Sequence, residues 1–323
     1  MKVVITGSSG QDGIFLTSKI LNSTNAKIYC LTRNRESFEK NKLVYLNKDI
    51  DFSRLEVFSL DYQNKDEVFK FFGDVKPDYV FNLMGPSSVS KFIDEPEKMK
   101  NITIKAFNNI TNTLIETNNF CNFYQASSSE MFGYESDNPF NELSIFKPNT
   151  TYAKTKYILH KKSIEFQRTY NWKIISGIMF NHESEFRTTN FLIMKLIDNA
   201  MENQLSKNKK IEIPSLDISR DWSYAKDICD GIFNLTFNNF SGSYVLGSGK
   251  ITSLKDISKY IYEKLNLNYL DFITINKNKL RSGEPLKVMS NPEKIKNDIG
   301  WKTKLNIYET IDKMFSYKLN DKN

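Results

Sequence analysis

The chain has 323 residues, of which 40% are hydrophobic, and it carries a formal net charge of +7. This length allows one large domain or two closely joined ones with a sizeable core. The basic residues are spread along the chain rather than gathered in one tract, so we expect no nucleic-acid partner. Because neither a run of about 18 apolar residues nor a signal peptide is recognisable, we expect a cytoplasmic protein without a membrane partner.

Cysteine and histidine are too sparse to suggest a metal or redox centre. Cys30, Cys121 and Cys229 lie far apart, and the two histidines are His160 and His182. No Cys-x-x-Cys pair is present, so the sequence predicts neither a zinc site nor a redox pair. We expect no metal.

Short apolar runs alternate with longer mixed segments through the first half of the chain, which is typical of βαβ units. The apolar runs predict strands at residues 2–6, 27–32, 55–59, 79–83, 122–126 and 173–179. The segments between them predict helices, notably 14–21, 65–72, 98–117 and 152–170. This alternation predicts an α/β protein with a Rossmann-type, doubly wound parallel sheet.

The regular alternation of strands and helices ends at about residue 180, after which the predicted elements become shorter. Helices are expected at 190–204, 253–265 and 307–317, and a short strand at 211–214. These elements predict a smaller C-terminal α+β substrate lobe, whereas a helix at 225–237 returns to the main domain. We therefore assign residues 1–180, joined again by about 222–248, to the Rossmann domain, and 181–221 with 249–323 to the lobe.

A glycine-rich turn, Gly7-Ser8-Ser9-Gly10-Gln11-Asp12-Gly13, follows the first strand and precedes an apolar helix. Glycines at such a turn let the backbone approach a pyrophosphate and leave the helix N-terminus open to it. The alternative is a plain tight turn, but the position between a strand and a helix favours a dinucleotide site. We predict cofactor contacts from Gly7, Gly10, Gln11, Asp12 and Gly13.

The end of the second strand indicates which dinucleotide is bound. An NAD site usually offers a carboxylate there to the ribose 2′-hydroxyl, and this chain has none. Arg33, followed by Arg35, stands there instead, and a guanidinium pairs well with a phosphate. The pair favours NADP, the alternative being two surface arginines. Asp61 and Tyr62 after the third strand, and Leu83 after the fourth, are also expected to contact the cofactor.

Tyr152 and Lys156 are the first catalytic candidates, because the spacing i,i+4 puts them on one face of a predicted helix. A free tyrosine titrates near pH 10. We expect the neighbouring ammonium and a positively charged nicotinamide ring to lower that pKa. Tyr152 could then remove a proton from a sugar hydroxyl while hydride leaves the same carbon. Both residues are also expected to contact the cofactor.

Ser128, Ser129 and Glu130 end the fifth strand, at the edge where strand termini meet the nicotinamide in a doubly wound sheet. A serine there can hydrogen-bond the reacting hydroxyl. A carboxylate is costly to bury without a task, which favours a catalytic role for Glu130. The alternative for Glu130 is an exposed loop residue.

Together these residues resemble the extended short-chain dehydrogenase/reductase superfamily and, more narrowly, the GDP-mannose 4,6-dehydratase family. The resemblance runs nearly end to end. It rests on the glycine turn, the arginines after the second strand, Ser128-Ser129-Glu130, the Tyr-x-x-x-Lys motif, Phe180-Asn181-His182-Glu183-Ser184, Arg220-Asp221-Trp222, Ala225-Lys226-Asp227, Asn291-Pro292 and Gly300-Trp301.

The resemblance implies a mechanism in which NADP⁺ takes hydride from C4 of a nucleotide-bound sugar. Tyr152 removes the O4 proton, Ser128 hydrogen-bonds O4, and Glu130 removes the C5 proton so that the C6 hydroxyl leaves as water. Hydride then returns to C6, which gives a 4-keto-6-deoxy sugar. Ser129 stands where many dehydratases on other nucleotides have an aspartate, so Glu130 is expected to serve as base and then as acid.

Binding roles are also implied by the resemblance. It implies a cofactor contact from His182, a ribose contact from Glu284 and a substrate contact from Ser87. Arginine favours bidentate pairing with phosphate. The remaining substrate contacts, expected at the nucleotide diphosphate, are Asn181, Lys195, Arg220 and Arg281. The family also implies a homodimer or homotetramer.

Three stretches depart from the family pattern: Ser128 replaces a usual threonine, and the runs 84–88 and 281–285 differ. The combination is more similar to the GDP-N-acetylglucosamine 4,6-dehydratases of the legionaminic acid route, and GDP-mannose is the other substrate considered. Rival hypotheses are a nucleotide-sugar 4-epimerase or 4-ketoreductase, a non-catalytic NADP-binding sensor, and a nucleic-acid binder suggested by charge alone. Glu130 discriminates among them, because a 4-epimerase needs no base at C5.

Overall fold

The computed structural model describes residues 1–33, 35–85, 95–134, 136–206, 208–280 and 284–320. Its strands are β1 (Lys2–Thr6), β2 (Lys27–Thr32), β3 (Leu55–Ser59), β4 (Tyr79–Asn82), β5 (Asn122–Ser128), β6 (Ile174–Met179), β7 (Asn181–Glu183), β8 (Ile211–Ile213), β9 (Ser219–Tyr224), β10 (Gly242–Leu246), β11 (Ile251–Ser253), β12 (Ile273–Ile275) and β13 (Lys287–Val288). Its helices are α1 (Gln11–Ser23), α2 (Lys40–Leu46), α3 (Lys65–Val75), α4 (Pro96–Glu116), α5 (Thr151–Tyr170), α6 (Leu192–Gln204), α7 (Ala225–Phe237), α8 (Leu254–Glu263), α9 (Tyr269–Phe272), α10 (Glu293–Ile299) and α11 (Ile307–Asn320).

The main sheet has seven strands in the order β10-β6-β5-β4-β1-β2-β3, and every neighbouring pair is parallel. The predicted doubly wound sheet is therefore confirmed. The strand order reverses direction between β1 and β4, and ligands of such sheets bind in the crevice at the carboxyl ends of the strands near this point. The crevice is thus expected next to Thr6 and Asn82, whose side chains share a 2.8 Å hydrogen bond.

Helices cover both faces of the sheet because its strands are apolar on both sides. One core contains Ile14, Phe15 and Leu16 of α1 with Ile228 and Ile232 of α7. The other core joins α3, α4 and α5 to the opposite face, where the aromatic side chains of the helices and strands pack closely. Near-continuous apolar strands of this kind are typical of parallel sheets buried on two sides.

The C-terminal elements build a separate apolar cluster from α6, α8 and α11, which includes Ile197, Ile257 and Ile311. A small sheet in the order β11-β9-β13, with β7 paired to β9, and a β12–β8 pair lie beside it. Strand β9 was not predicted, because Arg220 and Asp221 are buried polar residues that break any apolar alternation. Among the described residues, no helix combines the length and apolar character needed to cross a membrane.

Most predicted elements occur with ends shifted by one to three residues. Predicted strand 79–83 ends at Asn82, so Leu83 lies just beyond it, and predicted strand 211–214 ends at Ile213. Predicted helix 190–204 begins at Leu192, and predicted helix 14–21 begins earlier, at Gln11. The earlier start of α1 brings Asp12 into its first turn, directly at the glycine turn.

Candidate active site

The glycine turn is held tightly between β2 and the end of β4. Gly7 has a positive φ of 66°, and a Cβ there would lie 3.0 Å from the carbonyl oxygen of Leu83. At Gly13 a Cβ would lie 2.5 Å from Cα of Ser8, whose own backbone N–H donates to Leu31 at 3.2 Å. These two positions therefore require glycine, because any side chain would displace backbone.

Two polar side chains at the start of α1 connect this turn to β7. The amide of Gln11 donates to the carbonyl of His182 at 3.1 Å and accepts from the Ser184 hydroxyl at 2.8 Å. Nε2 of His182 lies 3.2 Å from a carboxylate oxygen of Asp12, and its Nδ1 lies 2.7 Å from the Phe180 carbonyl. Burial opposes a charged His182, but the Asp12 carboxylate outweighs it and raises the pKa of His182.

A cavity of about 600 Å³ opens at the carboxyl edge of the sheet, between the sheet and the C-terminal elements. This volume is in the usual range for small-molecule and cofactor sites. It brings together twelve of the residues predicted from the sequence, which come from distant parts of the chain: Asp12, Leu83, Ser128, Ser129, Glu130, Tyr152, Lys156, Asn181, His182, Lys195, Arg220 and Glu284.

Tyr152 reaches this cavity from the first turn of α5. Thr150 caps that helix, because its hydroxyl accepts the backbone N–H of Ala153 at 3.1 Å. One turn later, the Lys156 ammonium donates to the Ala126 carbonyl at 2.9 Å and lies 5.9 Å from the centre of the Tyr152 ring. The Tyr152 hydroxyl is hydrogen-bonded to the Ser128 side chain. The helix cap and these two bonds fix the Tyr-x-x-x-Lys pair against the end of β5.

Burial dominates the protonation of this pair. It raises the pKa of Tyr152 to about 12, although the hydrogen bond from Ser128 and the charge of Arg187 act in the opposite direction. It lowers the pKa of Lys156 to about 8. The lowering predicted for Tyr152 required both the nearby ammonium and a positively charged nicotinamide ring. In the protein by itself the desolvation of the phenol, which that prediction did not count, is the larger effect.

Glu130 enters the cavity from a single 3₁₀ turn, Ser129–Met131, that follows β5 directly. The Ser128 hydroxyl accepts the backbone N–H of Glu130 at 3.3 Å, so one serine contacts both Tyr152 and the glutamate backbone. Ser128 and Ser129 are buried, whereas Glu130 is half-buried. A phenol and a carboxylate thus face the same space, which suits proton transfer at two neighbouring positions of one ligand.

Charged side chains also line the cavity on the side of the C-terminal elements. Arg220 is buried and donates to the carbonyls of Ser219 and Leu286, each at 3.0 Å. Its other terminal nitrogen lies 3.2 Å from a carboxylate oxygen of Glu284, and both side chains are at most 9% exposed. Arg220, predicted to contact the diphosphate, and Glu284, predicted to contact the ribose, therefore form a buried ion pair. The exposed Lys195 lines the same cavity.

Several predicted residues do not line this cavity. Arg33 is exposed just after β2, and Asp61, exposed after β3, accepts the backbone N–H of Gln63 at 2.9 Å. The hydroxyl of Tyr62 is buried and has no hydrogen-bond partner among the described residues. Gly7, Gly10, Gln11 and Gly13 are not among the residues that line the cavity. Ser87 and Arg281 lie outside the described residues.

The cavity is also lined by residues that were not predicted as site residues, among them Glu183, Arg187, Phe191 and Trp222. The guanidinium of Arg187 donates to buried Glu183 at 3.1 Å and stacks over the ring of Phe191 at 3.5 Å. Trp222 lines the same space. The one sequence signal that could have indicated Arg187 is its spacing from Glu183, because oppositely charged residues at i and i+4 commonly interact. That rule applies to helices, however, and this segment is not helical. Elsewhere in the described ranges, no group of three or more His, Cys, Asp or Glu side chains could hold a metal ion.

Comparison with known proteins agrees with this arrangement. Residues 4–314 match the family described as GDP-mannose 4,6 dehydratase. The chain belongs to this family. It is similar to GDP-mannose 4,6 dehydratase 1 of Arabidopsis thaliana, at 25% identity over 96% of this chain and 87% of that protein. It is also similar to the human GDP-mannose 4,6 dehydratase, at 27% identity over 78% and 69%.

Solved structures with bound nicotinamide cofactors share the fold of this GDP-mannose 4,6-dehydratase family member. DesIV, a dTDP-glucose 4,6-dehydratase from Streptomyces venezuelae solved with NAD and TYD, gives a TM-score of 0.87 at 15% identity, with 100% of this chain and 98% of that chain covered. RMD from Pseudomonas aeruginosa, complexed with NADPH, gives a TM-score of 0.81 at 18% identity over 99% of each chain. The family predicted from the sequence motifs is thus confirmed.

Proposed function

We propose that this protein is a 4,6-dehydratase that converts a GDP-hexose to its 4-keto-6-deoxy form by internal hydride transfer. The observation that carries this proposal is the placement of Tyr152 and Glu130 on one cavity, with Ser128 in contact with both. A phenol alone would serve an epimerase or a ketoreductase. A carboxylate beside it supplies the base that elimination requires at the carbon next to the one being oxidised.

The residues around the glycine turn fit a nicotinamide dinucleotide. Gly10 is the N-cap of α1 and has no side chain that could cap the helix, so the first backbone N–H groups of α1 remain available for a pyrophosphate. Asp12, Leu83, Lys156 and His182 would hold the nicotinamide end at the cavity. When bound, the oxidised cofactor supplies a hydride acceptor and a positive charge, which would favour ionisation of the phenol.

The chain's own residues carry the proton transfers. Tyr152 takes the O4 proton while Ser128 holds O4 by a hydrogen bond, and the Lys156 ammonium stabilises the phenolate. Glu130 then removes the C5 proton, which the adjacent ketone has made acidic, and the C6 hydroxyl leaves as water. At the other end Arg220, Glu284, Lys195 and the predicted Asn181 and Arg281 would hold the ribose and diphosphate.

We propose NADP as the cofactor, because Arg33 is exposed directly after β2 and no carboxylate stands there. Both forms occur among proteins of this fold, since the DesIV structure contains NAD and the RMD structure contains NADPH. Fluorescence titration of both dinucleotides tests the assignment. Tighter binding of NADP that is lost in Arg33→Ala, with NAD affinity unchanged, is the expected result, and equal affinity of the native protein for both would contradict it.

The sugar is proposed to be N-acetylglucosamine or mannose on GDP. Mass spectrometry of products from a panel of GDP-, UDP- and dTDP-sugars identifies it by the loss of one water. We further propose that residues 1–180 with 222–248 bind the cofactor, that 181–221 with 249–323 bind the nucleotide sugar, and that the protein forms a homodimer or homotetramer. A monomer by light scattering would contradict the last point.

Glu130→Gln tests the dehydratase directly. Loss of the base should reduce formation of dehydrated product by about a hundredfold or more. Hydride transfer from C4 precedes this step, so reduced nicotinamide should still form on the enzyme when substrate is added. Tyr152→Phe is the matched control, because it should abolish both signals. Full turnover by Glu130→Gln, or stoichiometric release of reduced cofactor by the native enzyme, would contradict the proposal.

A further inference from the structure

A second, much smaller cavity adjoins Glu130. The residues that line it include Ser129, Glu130, Asn149, Asn181, Arg220 and Val288. The space open to the centre of a water molecule is about 20 Å³. A single water needs at least about 10–15 Å³ by this measure, so the small cavity has room for one water and little more.

The chemistry of the lining suits water rather than an apolar group. A buried water typically makes about three hydrogen bonds to polar groups around it. Ser129, Glu130, Asn149, Asn181 and the buried Arg220, all of which line the small cavity, carry polar side chains, and Asn149 is itself exposed to solvent. Val288 is only 9% exposed and packs in the apolar cluster that contains Phe132 and Val245, so the opposite wall is dry. A water here would touch Glu130 while staying close to bulk solvent.

The proposed reaction needs such a water, because its proton transfers do not balance on Glu130 alone. Glu130 gains one proton when the C5–H bond breaks, and it can give that proton to the C6 oxygen as the C6–O bond breaks and water departs. Hydride then adds to C6, and C5 must receive a second proton to restore its C–H bond. Ser129, a hydroxyl and therefore a weak acid, stands beside Glu130 and is a poor source of that proton.

We propose that the small cavity holds one water molecule that returns a proton from solvent to Glu130 during each turnover. The inference rests on the proposed dehydratase function and names a part of its machinery. Tyr152 releases the O4 proton to solvent, so one proton leaves the active site and one enters it in each cycle. The number of protons is therefore balanced, and no external oxidant or reductant is needed. The product should therefore carry a solvent-derived hydrogen at C5.

Val288→Ile tests this role by adding one methylene to the wall of the small cavity. Val245→Ile is the matched control, because Val245 is buried in the same apolar cluster but does not line the small cavity. Each variant is assayed in heavy water with whichever of GDP-mannose and GDP-N-acetylglucosamine the native enzyme dehydrates. The native enzyme and Val245→Ile should place deuterium at C5 in nearly every product molecule. In Val288→Ile, kcat should fall about tenfold or more, whereas the product should still carry deuterium at C5, because every exchangeable proton of the site is deuterium in heavy water.

Val288→Ala should keep a kcat close to that of the native enzyme, since a larger cavity still admits water. Equal kcat in Val288→Ile and Val245→Ile, or protium at C5 in the product that the native enzyme forms in heavy water, would overturn the proposal. A crystal structure gives a test that does not depend on turnover. A water within hydrogen-bond distance of the Glu130 carboxyl in the native protein, displaced in Val288→Ile, supports the site, and a dry cavity in the native protein overturns it. Absence of any dehydrated product would instead contradict the proposed function.

Discussion

Replacing Lys156 with methionine should make the protein more stable at neutral pH while abolishing its activity. Burial lowers the pKa of this lysine from 10.5 to about 8. At neutral pH the folded protein must keep the ammonium charged in that environment, which costs about 3 kcal/mol at 1.36 kcal/mol per pKa unit. Methionine also loses the 2.9 Å hydrogen bond to the Ala126 carbonyl, a loss of about 1 kcal/mol. The expected net gain is about 2 kcal/mol.

The pH dependence of this gain has a definite sign. The folded pKa of Lys156 lies below the unfolded one, so between about pH 8 and pH 10.5 the unfolded chain binds more protons than the folded protein. The stability of the native protein relative to the variant therefore rises with pH across this window. By about pH 10 the penalty falls to about 1 kcal/mol, and the variant loses its advantage.

Urea unfolding of the cofactor-free proteins at neutral and alkaline pH measures this difference. Lys154→Met is the control, because Lys154 lies in the same helix but is exposed, so its replacement should leave the pH dependence of stability unchanged. A Lys156→Met variant that is no more stable than the native protein at neutral pH would refute the reasoning. So would a stability difference that does not change with pH, since burial of a titrating ammonium is its stated cause.

Two further predictions concern the glycine turn and its link to β7. Gly13→Ala should weaken NADP binding about tenfold or more in a titration, because its Cβ would lie 2.5 Å from the Ser8 backbone. Gly73→Ala in α3 is the control, because a Cβ there meets nothing within 4 Å outside its own helix and chain neighbours, and equal effects of the two variants would contradict the reasoning. His182→Asn should remove a pH-dependent contribution to stability: Asp12 raises the pKa of His182 above 6.5, so the native protein should lose this contribution as pH rises through that folded pKa. If His182→Asn and the native protein showed the same pH dependence of stability in urea unfolding, this prediction would be contradicted.

The main sheet could be predicted because its signal is local. Each of its strands up to β6 is a short apolar run, and the helix Ala225–Phe237 occurs with the bounds expected from its periodicity. Strand β9 has no such signal, since its burial depends on partners elsewhere in the chain. Asp221 within it accepts backbone N–H groups from Ser248 and Gly249, at 2.9 Å each, and a pattern of apolar residues cannot reveal a strand whose buried side chains are polar.

The candidate site also has parts that the sequence reveals and parts that only the folded structure reveals. The glycine turn and the Tyr-x-x-x-Lys motif are contiguous in sequence, and their residues could be named without coordinates. Arg187 and the small cavity beside Glu130 depend on how separate segments meet. The desolvation that raises the pKa of Tyr152 was missed for the same reason, because charged neighbours can be inferred from spacing, whereas desolvation is a property of the packed structure.

Buried polar links join the two ends of the large cavity, and this has a consequence for the reaction. Gln11 ties the glycine turn to β7, and β7 pairs with β9, which carries Arg220. The cofactor turn and the phosphate end are thus connected by two short steps of hydrogen-bonded backbone and side chain. Hydride must leave C4 and return to C6 of the same sugar, so the ligand has to remain held throughout. A rigid connection between the two ends provides this, because reacting groups fixed in advance need no further ordering at each step.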